Sequence, residues 1–242
     1  MIVDQTWLTS MAYQTLRSRT QGANGKPVRL LGIPLFDGIG AFWQLFAPFE
    51  KTIFNWVAQL SSETDSACLA VLKHRFPKLQ HMGDIRGLDM EYWQSILYAH
   101  SGQFDAVVLA GGSPCQQLSA AGLSREGLAG KDSSLFWHMT RIAHDLEQVC
   151  RAHNKPLWRL FENVVGTRST VDTMSQNIGF APVHVDAADF GWTSRKRLVW
   201  CDAFVPDEWK EFINTESFPT HGWHTLNIPR RRRKLPPLGS IF

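Results

Sequence analysis

No apolar run in this chain approaches the roughly 18 residues of a membrane-spanning helix. The longest near the start, Leu30–Phe36, has the length of a strand. The N-terminus has Asp4 early and no basic stretch leading into an apolar core, so no secretory signal is expected. Cysteine is scarce: Cys68, Cys115, Cys150 and Cys201 lie far apart and form no Cys-x-x-Cys pair. That argues against a zinc site or an extracellular disulfide framework and for a reducing compartment, and no metal is expected. There is no internal repeat, and formal charge is nearly balanced at +3. The distribution of charge is more informative, because Arg230, Arg231, Arg232, Arg233 and Lys234 form an unbroken basic run, and Arg195, Lys196 and Arg197 form a second cluster. Such runs are either solvated surface or contacts to nucleic acid.

What is present is alternation. With 242 residues and 44% hydrophobic content, the chain can build one large α/β domain with a modest appendage. Helical spacing of Trp7, Leu8, Met11, Ala12 and Leu16 predicts an amphipathic helix over 5–18, followed by a Gly-rich linker to Pro27. Strands are then predicted at Arg29–Phe36, Trp56–Leu60, Leu79–Met82, Ala106–Ala110, Leu157–Phe161, Pro182–Val185 and Leu198–Cys201. Helices are predicted after Ala41, around Cys68–Leu72, over 89–99, over Ser133–His153 and over 169–178. The pattern is that of a mostly parallel sheet with helices on both faces. Three parts follow: 1–27, a helix and linker; 28–203, the main domain; and 204–242, where regular period is lost and a separate small element or a partner-dependent segment is expected.

The most informative stretch is Phe104–Ser119. Its apolar run reads as a buried strand, Gly111 and Gly112 end it, and Pro114 stiffens the turn. A lone cysteine is ordinarily a small buried apolar residue. Cys115 instead stands just beyond the carboxyl end of a central strand, where open α/β sheets bind ligands. Residues 116–131 hold three glycines and little periodicity, which reads as a functional loop.

Acidic or Gly-rich positions follow three successive strands: Phe36-Asp37-Gly38-Ile39-Gly40 after the first, Glu63 after the second, and Asp84 at the end of the third. A carboxylate after strand two suits ribose hydroxyls. The third glycine of a dinucleotide fingerprint is absent, since Trp43 stands there, so a nucleoside ligand without phosphates fits better. Glu162 ends strand five, where an acid among apolar neighbours has its pKa raised and can donate a proton. Arg195 and Arg197 alternate along an extended segment and share one side.

Taken in order, Phe36-Asp37-Gly38-Ile39-Gly40, Gly112-Ser113-Pro114-Cys115-Gln116, Phe161-Glu162-Asn163-Val164 and Arg195-Lys196-Arg197 resemble the motifs of C5-cytosine DNA methyltransferases. The resemblance implies a Rossmann-like class I methyltransferase fold with a seven-stranded sheet. It also implies S-adenosylmethionine as cofactor, at Phe36, Gly38, Ile39, Gly40, Glu63, Thr64, Asp84, Ile85, Pro114 and Leu135. Glu63 would take the ribose hydroxyls and Asp84 the adenine amine. The substrate implied is double-stranded DNA with one cytosine swung out. Cys115 is the implied nucleophile, Glu162 the proton donor, Arg197 the group on the base carbonyl and Arg195 the contact to the nearby backbone. Gln116 and Ser119, on the loop, would lie near the emptied helix, and Arg230–Arg233 would meet phosphates.

The sequence departs from the family at Thr193, where glutamine is usual, and in its C-terminal end. About 38 residues follow Phe204, and the family's final motif is not found. A naturally minimal enzyme, one subunit of a split enzyme and an inactive relative are the readings this leaves open, with an RNA cytosine methyltransferase as rival within the enzyme class. A second protein subunit is accordingly an expected partner, a membrane is not, and the expected location is a prokaryotic or phage-infected cytoplasm, or a nucleus.

Overall fold

The computed structural model describes residues 26–114, 134–189, 193–202 and 213–226. Cys115, Gln116, Ser119, Arg230, Arg231, Arg232 and Arg233, together with the N-terminal helix and the 116–131 loop expected from the sequence, lie outside the described residues.

Eight residues, Val28–Leu35, form the central strand β1, because nearly every one is apolar and the strand is covered on both faces. Helix α1 (Ala41–Phe46) follows, then β2 (Phe54–Ser61), α2 (Ser66–Arg75), β3 (Gln80–His81), α3 (Met90–Ala99) and β4 (Ala106–Gly111). After the undescribed loop come α4 (Ser134–Ala152), β5 (Leu157–Val164), α5 (Arg168–Ile178), β6 (Val183–Asp186) and β7 (Lys196–Cys201). The chain then forms β8 (Ile213–Asn214), the short α6 (Phe218–His221) and β9 (His224–Leu226). Helix starts are capped as the sequence allows: Asp65, Asp89 and Thr167 accept from backbone N–H groups at the starts of α2, α3 and α5.

Among the described residues the sheet has nine strands in the order β3-β2-β1-β4-β5-β7-β6-β9-β8. Strands β3 to β5 run parallel, β7 is antiparallel to both neighbours, and β9 is parallel to β6. The α/β fold and the mostly parallel sheet are as the sequence predicts; the strand number is not. Two strands beyond the expected seven come from the C-terminal tail, whose described part, 213–226, continues the sheet instead of standing apart from it. Two- and three-residue strands carry no period to read.

Alternate residues face opposite layers. Leu31, Ile33 and Leu35 of β1 and Val107 and Leu109 of β4 join Trp93, Phe136, Ile142, Leu146 and Met174 in the larger core. Leu30, Ala106 and Val108 turn the other way, onto Phe46 and Phe49. The β1–β2 ladder breaks near Pro34, which gives its carbonyl to the Ser62 N–H at 3.1 Å and has no N–H of its own. Pairing resumes as the isolated bridge Leu35↔Ser62. Among the described residues no helix is long and apolar enough to cross a membrane.

Candidate active site

The carboxyl ends of β1, β2, β4 and β5 meet at one edge of the sheet, and the amino end of β7 reaches the same edge because β7 runs the other way. The predicted site residues that the structure describes gather there. After β1 the chain turns sharply: Phe36, Gly38 and Gly40 all adopt positive φ, at 56°, 56° and 84°. For Phe36 this left-handed backbone costs on the order of 1–2 kcal/mol, which the surrounding packing must hold. Gly40 has a second reason to be glycine, since a Cβ there would stand 2.4 Å from Phe76 Cε2. At Gly38 a Cβ would meet nothing within 4 Å, so the turn has an open side. Ile39 is exposed beside it.

Glu63 is fixed from three directions. One oxygen accepts from Gly38 N at 2.8 Å, and the other from Thr64 N at 2.7 Å and Asp65 N at 2.8 Å. The backbone thus holds the carboxylate against the open turn with lone pairs still to offer, and Thr64 follows it directly. Asp84 begins the 3-10 turn Ile85–Gly87 and accepts from Arg86 N at 2.9 Å. Its carboxylate is also paired with the Arg86 guanidinium, and these bonds hold its pKa below the usual carboxylate range. Ile85 is buried, and its carbonyl accepts from Arg141 on α4. Leu135, in the first turn of α4, packs against the larger core. The open turn, the backbone-held Glu63 carboxylate and the Asp84-Ile85 pair thus follow the ends of β1, β2 and β3.

On the reactive side, Gly111 pairs with Phe161, which puts Gly112 beside Glu162. A Cβ at Gly112 would approach Glu162 Oε2 to 3.0 Å, so a side chain there would make the carboxylate give by a few tenths of an ångström. Glu162 Oε1 is paired with Nε of Arg197. The expectation that Glu162 sits among apolar neighbours is corrected here: its side chain is 45% exposed and its neighbour is a guanidinium, itself 23% exposed. Antiparallel pairing of β5 with β7, Val164 opposite Arg197, brings the two together. Arg195 lies just before β7 with its side chain exposed, and its N–H donates to Asp186 Oδ1 at 2.8 Å.

Two groups that sequence reasoning did not single out hold this edge together. Asn163, 2% exposed, donates from Nδ2 to the carbonyl of Ser113 at 3.2 Å and to its Oγ at 3.1 Å, and Ser113 is 4% exposed. Its Oδ1 accepts from Val164 N at 2.8 Å. The side chain thereby ties the end of β5 to the turn that leads through Pro114 to Cys115. Asp37, 7% exposed, accepts from Trp43 Nε1 at 2.8 Å and Ser61 Oγ at 2.6 Å, both on Oδ2, while Oδ1 has no partner. Burial raises its pKa. The visible signal for Asp37 was an acid inside an otherwise apolar and Gly-rich turn; for Asn163 it was only its place after Glu162.

Residues 31–200 match the family model described as C-5 cytosine-specific DNA methylase. Among curated proteins, the type II methyltransferase M.XorII of Xanthomonas oryzae pv. oryzae is 29% identical over 188 residues, covering 71% of this chain and 40% of that protein. M.AluI of Cellulosimicrobium cellulans is 32% identical over 115 residues, covering 48% of this chain and 20% of its own. The chain thus spans less than half the length of these curated relatives. Among solved structures, a prophage-encoded DNA modification methyltransferase of E. coli aligns with a TM-score of 0.49 at 21% identity, over 71% of this chain and 45% of that one. The METTL16 MTase domain aligns with a TM-score of 0.42 at 15% identity, over 83% and 69%.

Proposed function

The chain belongs to the C-5 cytosine-specific DNA methylase family, and from that premise we propose that it transfers a methyl group from S-adenosylmethionine to carbon five of cytosine in DNA. The observation that carries the reading is the Glu162–Arg197 pair at the carboxyl edge, held beside Gly112 only three residues before Cys115.

In this reading the Cys115 thiolate adds to ring carbon six of a cytosine removed from the stack. The electron pair displaced from the ring is accepted at nitrogen three, where the Glu162 carboxyl delivers a proton. Carbon five is then enamine-like and nucleophilic. Arg197 holds the base carbonyl, and Arg195 the adjoining backbone. When bound, S-adenosylmethionine supplies an electrophilic methyl carbon. Phe36, Gly38, Ile39, Gly40, Glu63, Thr64, Asp84, Ile85, Pro114 and Leu135 are the residues that would hold it, Glu63 at the ribose and Asp84 at the adenine amine. A base then removes the proton on carbon five, its electron pair forms the carbon five–carbon six double bond as Cys115 leaves as thiolate, and the nitrogen-three proton returns to Glu162, which restores the aromatic ring.

The test uses duplex DNA carrying 5-fluorocytosine, whose fluorine cannot leave as a proton does. With the full chain and labelled S-adenosylmethionine, a denaturation-resistant protein–DNA adduct is expected, and Cys115→Ser should lose it while still binding the cofactor. A chain that binds cofactor yet forms no adduct would overturn the reading and favour a non-catalytic accessory subunit. An adduct on RNA alone would move the substrate to RNA.

A further inference from the structure

The two arginines of the candidate site are held by different means. Arg197 lies inside the sheet, opposite Val164 of β5 and Val185 of β6, so ladder pairing fixes its backbone from both sides. Arg195 precedes β7 and stands outside the pairing with β5. Its backbone is held instead by the end of β6. Asp186, the last residue of that strand, accepts from Arg195 N at 2.8 Å, and Ala187 N donates to the Arg195 carbonyl at 3.2 Å. Both backbone polar groups of Arg195 are thus anchored on two successive residues.

Asp186 is only 6% exposed, and both of its oxygens are engaged. Oδ1 accepts from Ala188 N at 3.0 Å as well as from Arg195 N, and Oδ2 accepts from Ser194 Oγ at 2.9 Å. The bond to Ala188, two residues on, turns the chain as β6 ends, a task suited to a short acidic side chain. The bonds to Ser194 and Arg195 reach the far end of the same connection, eight and nine residues on. One buried carboxylate therefore clasps the entry and the exit of the β6–β7 connection. Hydrogen bonds to an ionised acceptor are stronger than neutral ones. Here the Ala188 N–H foremost, then the Arg195 N–H, the Ser194 hydroxyl and the Lys196 charge, lower the Asp186 pKa against the opposing effect of burial.

We propose that Asp186 is a positioning residue for the substrate: its buried carboxylate sets the backbone of Arg195, so that the guanidinium is presented to the nucleic-acid backbone beside the extruded cytosine. The inference rests on the DNA-methyltransferase reading, in which Arg195 holds that backbone, and adds the group that fixes the arginine. Glu162 is opposite Val199, so it shares a face of the sheet with Arg197, and alternation along the chain gives Arg195 the same side. With its backbone already fixed, Arg195 has only its side chain to order when the substrate arrives, which lowers the entropic cost of the contact.

The experiment compares the full wild-type chain with Asp186→Ala, Asp186→Asn and Asp186→Glu, and with Asp186→Ala in an Arg195→Gln background. Asparagine keeps one oxygen for both N–H groups, and its amide can donate to Ser194 Oγ, so it preserves the clasp without the charge. Methyl transfer to a duplex oligonucleotide, cofactor binding and hydrogen exchange of the Arg195 amide are measured. A misplacement of about 1 Å costs on the order of 100-fold, so kcat/KM for DNA is expected to fall by about 10- to 100-fold in Asp186→Ala, with cofactor affinity unchanged and faster exchange at Arg195. Asp186→Asn should recover most of that loss, and Asp186→Glu, which keeps the charge but displaces it by a methylene, should fall between the two. In the Arg195→Gln background Asp186→Ala should cost little more, because both changes act through one group. Faster exchange with unchanged methyl transfer overturns the positioning role and leaves the activity standing. So does a loss shared equally by cofactor binding, or one that adds in full to that of Arg195→Gln. A wild type that binds cofactor but never methylates DNA overturns the activity, and the positioning role with it.

Discussion

Replacing Asn163 by alanine tests whether the buried amide positions the reactive turn. The substitution removes three hydrogen bonds at 2.8, 3.1 and 3.2 Å. It deprives the Ser113 carbonyl and Oγ of their donor, and Val164 N of this acceptor, in a place where both side chains are almost fully buried. Each buried polar group left unpaired costs about 1–3 kcal/mol, and a water entering the vacated volume recovers part of that. A loss of roughly 2–4 kcal/mol of stability is therefore expected. The turn so released leads in two residues to Cys115, and a displacement of about 1 Å at a reacting group lowers rate on the order of 100-fold. Ser113→Ala is the internal control. It removes one acceptor while Asn163 keeps the Ser113 carbonyl, so the loss should be about 1 kcal/mol or less. Denaturant unfolding gives the stabilities, and single-turnover methyl transfer with saturating cofactor gives the rates. If Asn163→Ala matches the wild type, or if both variants lose equally, the amide is not the tether described here.

Asp37→Asn probes the buried carboxylate: burial raises the folded-state pKa above the unfolded value of about 3.9, so the folded state binds more protons, and wild-type stability should fall as pH rises from the unfolded to the folded value. The asparagine variant should lack that fall, and a wild-type stability that instead rises through this window, measured by thermal unfolding, would refute the assignment. Gly40→Ala places a Cβ 2.4 Å from Phe76 on a backbone with φ of 84°, and a loss of about 1–3 kcal/mol with weaker cofactor binding is expected; a neutral substitution would show that the turn is not constrained as described.

The sheet's centre was legible because buried parallel strands are written as continuous apolar runs. Both Val28–Leu35 and Ala106–Gly111 read directly from composition, and the turns after them announce themselves by glycine. The sheet's far edge was not, since β8 and β9 span two and three residues and are held by pairing with β6 and by the stacking of Trp223. At the site, residue identities were legible and surroundings were not. Glu162 was expected at the end of strand five, whereas β5 runs two residues further, to Val164, and its arginine neighbour depends on β7 running antiparallel, which no local pattern encodes. Asn163 stands 50 residues from Ser113, and the bond between them exists only because β4 and β5 are adjacent. Asp84 read as an acid at a strand end, and that Arg86, two residues on, holds it was not legible.

That arginine beside Glu162 changes how the proposed chemistry begins. A carboxylate poised alone in an apolar pocket would carry a desolvation cost of several kcal/mol before any base arrived. Here the charge is shared with Arg197, and both side chains remain partly open to solvent. A pair so exposed stabilises the fold by about 1 kcal/mol or less, so separating it costs little. Cytosine presents a carbonyl oxygen and nitrogen three side by side, both acceptors. In the proposed reading the guanidinium and a protonated carboxyl would offer two donors, so the entering base would exchange one contact for two. Gly112 leaves room for that exchange, since a Cβ there would stand 3.0 Å from Glu162 Oε2.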